Sequence, residues 1–186
     1  MPEPGQLLYL MGASGAGKDS LVRYAQQHLG KLKSIRFAKR YITRPLNLFN
    51  DGNHYAIGSE KFNQLQKIGY FAMHWCRHGF QYGISKEIDI WLAEGNKVII
   101  NGSRKYFHTA RKDYPELHAV MVRADHEILR QRLLTRQRDS PEKIEQRMQS
   151  AEDRVDFEDH SRLFTVINNN ASLKIAGEKF LKIIHN

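Results

Sequence analysis

The chain has 186 residues, 41% hydrophobic and 26% charged, with a formal net charge of +9 and one cysteine, Cys76. That length suits one substantial domain burying roughly 70% of its unfolded surface; the composition excludes disordered and fibrous classes, and the lone cysteine excludes an internal disulfide and suits a reducing compartment. The positive surplus calls for an anionic partner, and its dispersal among apolar positions, as in FAKRYITRP and LRQRLLTRQR, favours a multiply phosphorylated small molecule over nucleic acid or a membrane surface.

The opening MPEPGQ has neither the basic start nor the apolar run of a signal peptide, and no apolar stretch approaches the roughly 20 residues that span a bilayer. A cytoplasmic location is expected. Leu7 to Met11, LLYLM, is a continuous apolar run stopping at Gly12, the pattern of a buried parallel strand. After a glycine-rich loop, Leu21, Val22, Ala25 and Leu29 recur at helical spacing and Gly30 stands where a C-terminal cap belongs. Further strands are expected near residues 34–38, 97–100, 119–122 and 164–167. Helices are expected over 86–94, 104–113, 126–138, 141–155 and 172–184. Such alternation predicts an α/β fold with a mainly parallel sheet. Residues 40–85, rich in Tyr, Phe, His, Asn and Gly without a long helical period, predict an inserted cap over the carboxyl edge of that sheet, where ligands bind in such folds. There is no internal repeat and no linker.

The loop between the first strand and helix reads Gly12-Ala13-Ser14-Gly15-Ala16-Gly17-Lys18-Asp19-Ser20. Its glycines let backbone N–H groups turn toward phosphate oxygens, the helix aims its positive end at them, and Lys18 would reach the β and γ phosphates of a bound nucleotide. The residue after the lysine is ordinarily Ser or Thr, whose hydroxyl ligates Mg2+; here it is Asp19. The strand that would ordinarily end in an acidic residue near the metal ends VIINGS, with Asn101 and Ser103. The two departures predict one relocation: Asp19 supplies the negative contact to Mg2+ that the strand end lacks. A carboxylate facing polyphosphate is repelled unless a divalent cation lies between them.

Other groupings carry less. His74, Cys76 and His78 lack a fourth ligand for zinc; His54 and His78 are expected to be structural or to line the acceptor site. Phe71, Trp75 and Trp91 are expected to pack, and EIDIWL, residues 87–92, to support the core.

The segments YITRP, DGNHY, HGFQYGIS, LRQRLLTRQR and IEQRM resemble, in order and approximate spacing, those of guanylate kinases. The resemblance implies one three-layer P-loop kinase domain over 1–186, with an acceptor-binding insert at about 40–85 and a helical lid at about 126–150. It implies acceptor binding by Arg40, Arg44, Tyr55 and Tyr82, with Arg104 for a second phosphate. Lys18 and the lid arginines Arg132, Arg136 and Arg147 would be catalytic. The guanine-reading positions do not match: Arg40 and Met73 stand in their places, with Asn101 and Ser103 for the strand-end acids. Losing such hydrogen bonds costs as much as roughly 10⁴–10⁵ in selectivity. MGASGAGKDSL, KRYITR, YGISKEIDIWL, VIINGSR and EILRQRL resemble more closely the ribose 1,5-bisphosphate phosphokinases of phosphonate catabolism. That resemblance implies transfer of the γ-phosphoryl of ATP to the 1-phosphate of ribose 1,5-bisphosphate, forming 5-phospho-α-D-ribose 1-diphosphate.

A phosphate acceptor, with its second pKa near 6, needs no protein base. Between Ser34 and Tyr55 the sequence offers only the carboxylate of Asp51. The alternatives are a nucleoside monophosphate kinase of guanylate type, a non-catalytic interaction module, for which a degraded glycine loop would be expected, and a transporter ATPase subunit, which would carry an LSGGQ-like signature. The expected partners are ATP, Mg2+ and a phosphorylated sugar, without nucleic acid or membrane. A homodimer is compatible with the sequence, which does not fix the oligomeric state.

Overall fold

The computed structural model describes residues 4–44, 52–135, 140–152 and 164–186. Strand β1 (Leu7–Gly12) lies at the centre of a five-stranded sheet, and this explains its unbroken apolar run. Leu8 and Leu10 face one layer of helices while Leu7, Tyr9 and Met11 face the other side, so both sets of alternating side chains meet core. In chain order the remaining elements begin with α1 (Lys18–Leu29), β2 (Ile35–Phe37), β3 (Arg40–Ile42), β4 (His54–Ala56) and α2 (Ser59–Lys67). They continue with β5 (Phe71–Arg77), β6 (Phe80–Ser85), α3 (Glu87–Ala93), β7 (Lys97–Asn101), α4 (Phe107–Asp113) and β8 (His118–Arg123). Last come α5 (His126–Thr135), α6 (Pro141–Glu152), β9 (Phe164–Asn168) and α7 (Leu173–His185).

The main sheet has the order β2-β7-β1-β8-β9, and every pairing in it is parallel. On one face Leu21, Val22, Ala25 and Leu29 of α1 pack with Phe180 and Ile184 of α7, Leu129 and Leu133 of α5, and Ile144 and Met148 of α6. On the other face lie Ile88 of α3 and Phe107 and Ala110 of α4, together with Met73 and Ile84 from a second sheet. This is the expected three-layer α/β fold. Because all five strands run the same way, the loop 13–17 after β1 and the turn 102–104 after β7 emerge side by side at the carboxyl edge.

The second sheet, β4-β3-β6-β5, is built within residues 40–85 and mixes one parallel pair, β3 with β4, and two antiparallel pairs. Helix α2 within this segment was not expected. Only Phe62 of its nine residues is buried, so the apolar period that announces a helix is absent from SEKFNQLQK. Helix α4 begins at Phe107 rather than Arg104, since residues 103–107 close two tight turns, Tyr106 N–H to Ser103 O and Phe107 N–H to Arg104 O, 3.2 Å each. Residues 136–138 and 153–155, expected to be helical, lie outside the described residues. Among the described residues no helix is long and apolar enough to cross a membrane.

His118 at the start of β8 gives the fold a pH dependence. Burial, and then the nearby Lys97 ammonium, hold its pKa below the ordinary value, and its Nε2 is 2.9 Å from Thr165 Oγ1. The folded protein resists a proton that the unfolded chain accepts below about pH 6.5. The contribution of His118 to stability is therefore whole above that pH and is lost as pH falls through the lower folded value. Urea unfolding at pH 7.5 and pH 5 should show a smaller loss on acidification in His118→Gln than in the wild type.

Candidate active site

The loop after β1 is shaped by backbone that side chains would obstruct. Gly17 caps α1 with φ 95°, a left-handed conformation that costs little only for glycine, and a Cβ there would meet Asn169 Nδ2. Asn169 follows β9, is almost wholly buried, and donates to Ala16 O at 2.8 Å. Lys18 folds back over the loop and donates to the carbonyls of Gly12 and Ala13, 2.9 Å each. With the α1 N-terminus behind it, this is a cradle for phosphate oxygens with its ammonium in waiting.

Around the loop runs one cleft. Lys18, Arg40, Arg44, Arg77, Arg104 and Arg147 line it, and Asp19 is the one carboxylate among the described residues that do. Each cation arrives on a different element: Arg40 opens β3, Arg44 follows it, Arg77 ends β5, Arg104 lies in the turn after β7 and Arg147 is on α6. Arg147 crosses to the loop and donates to Ser14 Oγ at 2.8 Å. So dense a set of like charges repels itself until a polyanion fills the space.

Asp19 projects from the first turn of α1 toward the end of β7. Its Oδ1 accepts from Asn101 Nδ2 at 2.5 Å and from Arg40 Nη2 at 2.9 Å. Arg40 also donates to His54 Nε2 and lies 5.9 Å from the centre of the Tyr82 ring. The carboxylate after the lysine and the strand end that lacks an acid are thus in direct contact. A hydrated divalent cation fits the donor set. Asn101 Oδ1 is buried with no hydrogen-bond partner among the described residues, an acceptor that a metal-bound water would satisfy. Among those residues no group of three or more His, Cys, Asp and Glu side chains offers an all-protein metal cage. Mg2+ ordinarily shares its shell between substrate phosphates and one or two carboxylates.

The turn that carries Arg104 is fixed from below. The Tyr9 hydroxyl donates to Ser103 O at 2.8 Å and accepts from Ser103 N–H at 2.9 Å. Its ring lies so close under Gly102 that a Cβ there would enter it. Burial raises the Tyr9 pKa well above the phenol value. Tyr9→Phe strands both Ser103 groups and should destabilise the fold by about 1–3 kcal/mol, read as a shift in the urea midpoint.

Two of the expected site residues lie elsewhere. Tyr55, on β4, is not among the cleft-lining residues; it is 46% exposed, its ring 5.0 Å from that of Tyr41 and 5.0 Å from the Lys39 ammonium. Arg132 sits behind the loop, donating to Asn169 O at 2.9 Å and to Gly15 O at 3.5 Å, and helps line a second hollow with Gly17, Ser20 and Asn169. Arg136, Asp51 and Pro45 lie outside the described residues.

The chain is 41% identical over 180 residues to the ribose 1,5-bisphosphate phosphokinase PhnN of Thiobacillus denitrificans, covering 97% of this chain and 93% of that protein. It is 42% identical over 185 residues to the protein of that name from Psychromonas ingrahamii, covering 100% and 92%. The chain belongs to the ribose 1,5-bisphosphate phosphokinase family. It is a kinase. No family model matches it. Among solved structures it is similar to guanylate kinase from Anaplasma phagocytophilum, with a TM-score of 0.68 and 16% identity over 99% of this chain and 86% of that one. It is also similar to a gluconokinase from Sinorhizobium meliloti, with a TM-score of 0.54 and 16% identity over 100% and 94%. These two likenesses establish the P-loop kinase fold.

Within that family assignment the side chains near the acceptor position explain the missing purine readers. Met73 is fully buried in the core layer and cannot present a polar edge to the cleft. Two residues further along the same face of β5, Trp75 lines the cleft and stacks on Tyr82, centroids 5.7 Å apart and planes at 4°. Trp75 and Arg77 line the cleft without belonging to any of the segments that carry the resemblance. Their one sequence signal is the alternation Met73, Trp75, Arg77, whose polarity rises toward the strand end.

Proposed function

We propose that the protein transfers the γ-phosphoryl group of ATP to the 1-phosphate of ribose 1,5-bisphosphate, giving ADP and 5-phospho-α-D-ribose 1-diphosphate. A single observation carries this: the phosphate loop and a wall of arginines share one cleft in which Asp19 is the sole carboxylate among the described lining residues. A hydroxyl acceptor would need a base there; a phosphate acceptor does not, being anionic at neutral pH.

The loop N–H groups and Lys18 hold the β and γ phosphates. Asp19 would hold Mg2+, with Asn101 on its water shell, and the bound ion would supply charge that neutralises the phosphates. Arg40, Arg44 and Tyr82 hold the 1-phosphate of the acceptor. An oxygen of that phosphate attacks Pγ, the bond from Pγ to the bridging oxygen breaks, and ADP leaves with the electron pair. Arg147, already on Ser14, spreads the negative charge that develops. Arg132 acts through the loop it binds and is a positioning residue. The hollow beside Gly17, Arg132 and Asn169 supports a course for the adenosine end of ATP over the outer side of the loop. Tyr55 has no part in this arrangement. The working location is the cytoplasm, where the exposed Cys76 stays reduced.

The test is ADP release with Mg-ATP and either ribose 1,5-bisphosphate or GMP. Turnover is expected with the sugar bisphosphate, and none above the acceptor-free background with GMP. Turnover with GMP alone would make the protein a nucleoside monophosphate kinase.

A further inference from the structure

The acceptor carries two phosphates, and the residues above account for the one that reacts. The end of β5 provides for the other. From Met73 on, side chains on one face of this strand step from core to solvent. Met73 is buried, Trp75 is half-buried against Tyr82, and Arg77 comes last, roughly 7 Å further along by strand geometry. Arg77 pairs with Phe80, and between them His78 and Gly79 close the hairpin with φ 49° and 76°. A two-residue turn with both φ angles positive is the form that matches strand twist and holds a hairpin end rigid.

Arg77 therefore stands at a fixed point on the rim of the cleft. It has no carboxylate partner among the described residues; its Nε donates to His78 Nε2 at 3.3 Å, which leaves the outer nitrogens of the fork to a ligand. Arg104, held by the Tyr9–Ser103 contacts, and His78 line the same cleft. Arg40 lies on the loop side, its Nη2 2.9 Å from Asp19 Oδ1. The cations that line the cleft thus include Lys18 of the phosphate loop and Arg77 at the hairpin tip.

We propose that Arg77, with His78 beside it and Arg104 in the same cleft, binds the 5-phosphate of the acceptor and so selects a bisphosphorylated sugar. This rests on the proposed activity and adds its specificity. Two monophosphates separate the ends of the ligand: ribose 5-phosphate carries only the group that Arg77 would hold, and α-D-ribose 1-phosphate only the other. Calorimetric binding of each is compared in the wild type, Arg77→Ala and Arg77→Lys, with matched melting curves as the check on folding. A charge-assisted hydrogen bond lost at such a site corresponds to a weakening of about 10- to 100-fold.

Arg77→Ala should weaken ribose 5-phosphate and ribose 1,5-bisphosphate by that factor and leave ribose 1-phosphate unchanged, with Arg77→Lys in between because it keeps the charge but not the fork. Equal weakening of both monophosphates, no weakening of either, or a wild type that binds no ribose 5-phosphate overturns the proposal. Wild-type binding of ribose 1,5-bisphosphate without ADP production from it would instead strike the activity.

Discussion

Lys18→Ala lowers kcat by about 10²–10³-fold, the cost of removing one preorganised electrostatic contact from a water-excluded site, while the melting temperature changes little. The size follows from where the ammonium starts. It is held by two carbonyl oxygens, those of Gly12 and Ala13, so it is already at the mouth of the loop with part of its side-chain entropy spent. On the proposed function phosphate oxygens would replace those carbonyls as partners, and the bond to a charged acceptor is roughly twice as strong as one to a neutral acceptor. Steady-state kinetics check the effect; an Ala variant within threefold of the wild type would show that phosphate is held elsewhere.

Asp19 is the second sensitive position. Asp19→Asn keeps the shape and removes the charge, and should raise the Mg2+ concentration for half-maximal activity about 10- to 100-fold. Asp19→Ser restores the hydroxyl that such loops ordinarily present but leaves the site without any carboxylate, so it too should be impaired. The contact between Asp19 and Asn101, 2.5 Å, supplies the decisive variant. Asp19→Ser combined with Asn101→Asp returns the carboxylate to the strand end, and should recover most of the Mg2+ affinity that either Asp19 variant loses. If Asp19→Asn and Asp19→Ser both keep wild-type rate and metal dependence, the carboxylate has no metal role.

The loop was legible in the sequence because its requirements are local. Glycine at 12 and 17, a lysine at 18, an apolar strand before and an amphipathic helix after are all consecutive. The parallel sheet was legible for a similar reason, since a strand buried on both faces must be apolar throughout, as LLYLM is. What escaped were features set by distance along an element or by a partner far away in the chain. Met73 and Trp75 share a face of β5, and only their depth decides that one is core and the other lines the cleft. Tyr9 reads as one more apolar strand residue, yet its hydroxyl fixes the turn at Ser103, 94 positions later. Arg132 has the spacing of a lid residue but lies behind the loop, where burial lowers its pKa and backbone carbonyls take its hydrogen bonds. Tyr55, assigned to the acceptor by resemblance alone, is 46% exposed on β4 beside Tyr41 and Lys39. Arg40, expected on an acceptor phosphate, pairs with Asp19, a contact between distant positions that the sequence does not announce.

The transfer itself is open to direct observation. Protein, Mg-ATP and ribose 1,5-bisphosphate followed by phosphorus-31 NMR should show the 1-phosphate resonance replaced by a coupled pair from a 1-diphosphate, with ADP formed in equal amount and the 5-phosphate resonance conserved. ADP and free inorganic phosphate in place of the coupled pair, or an unchanged 1-phosphate signal, would contradict it.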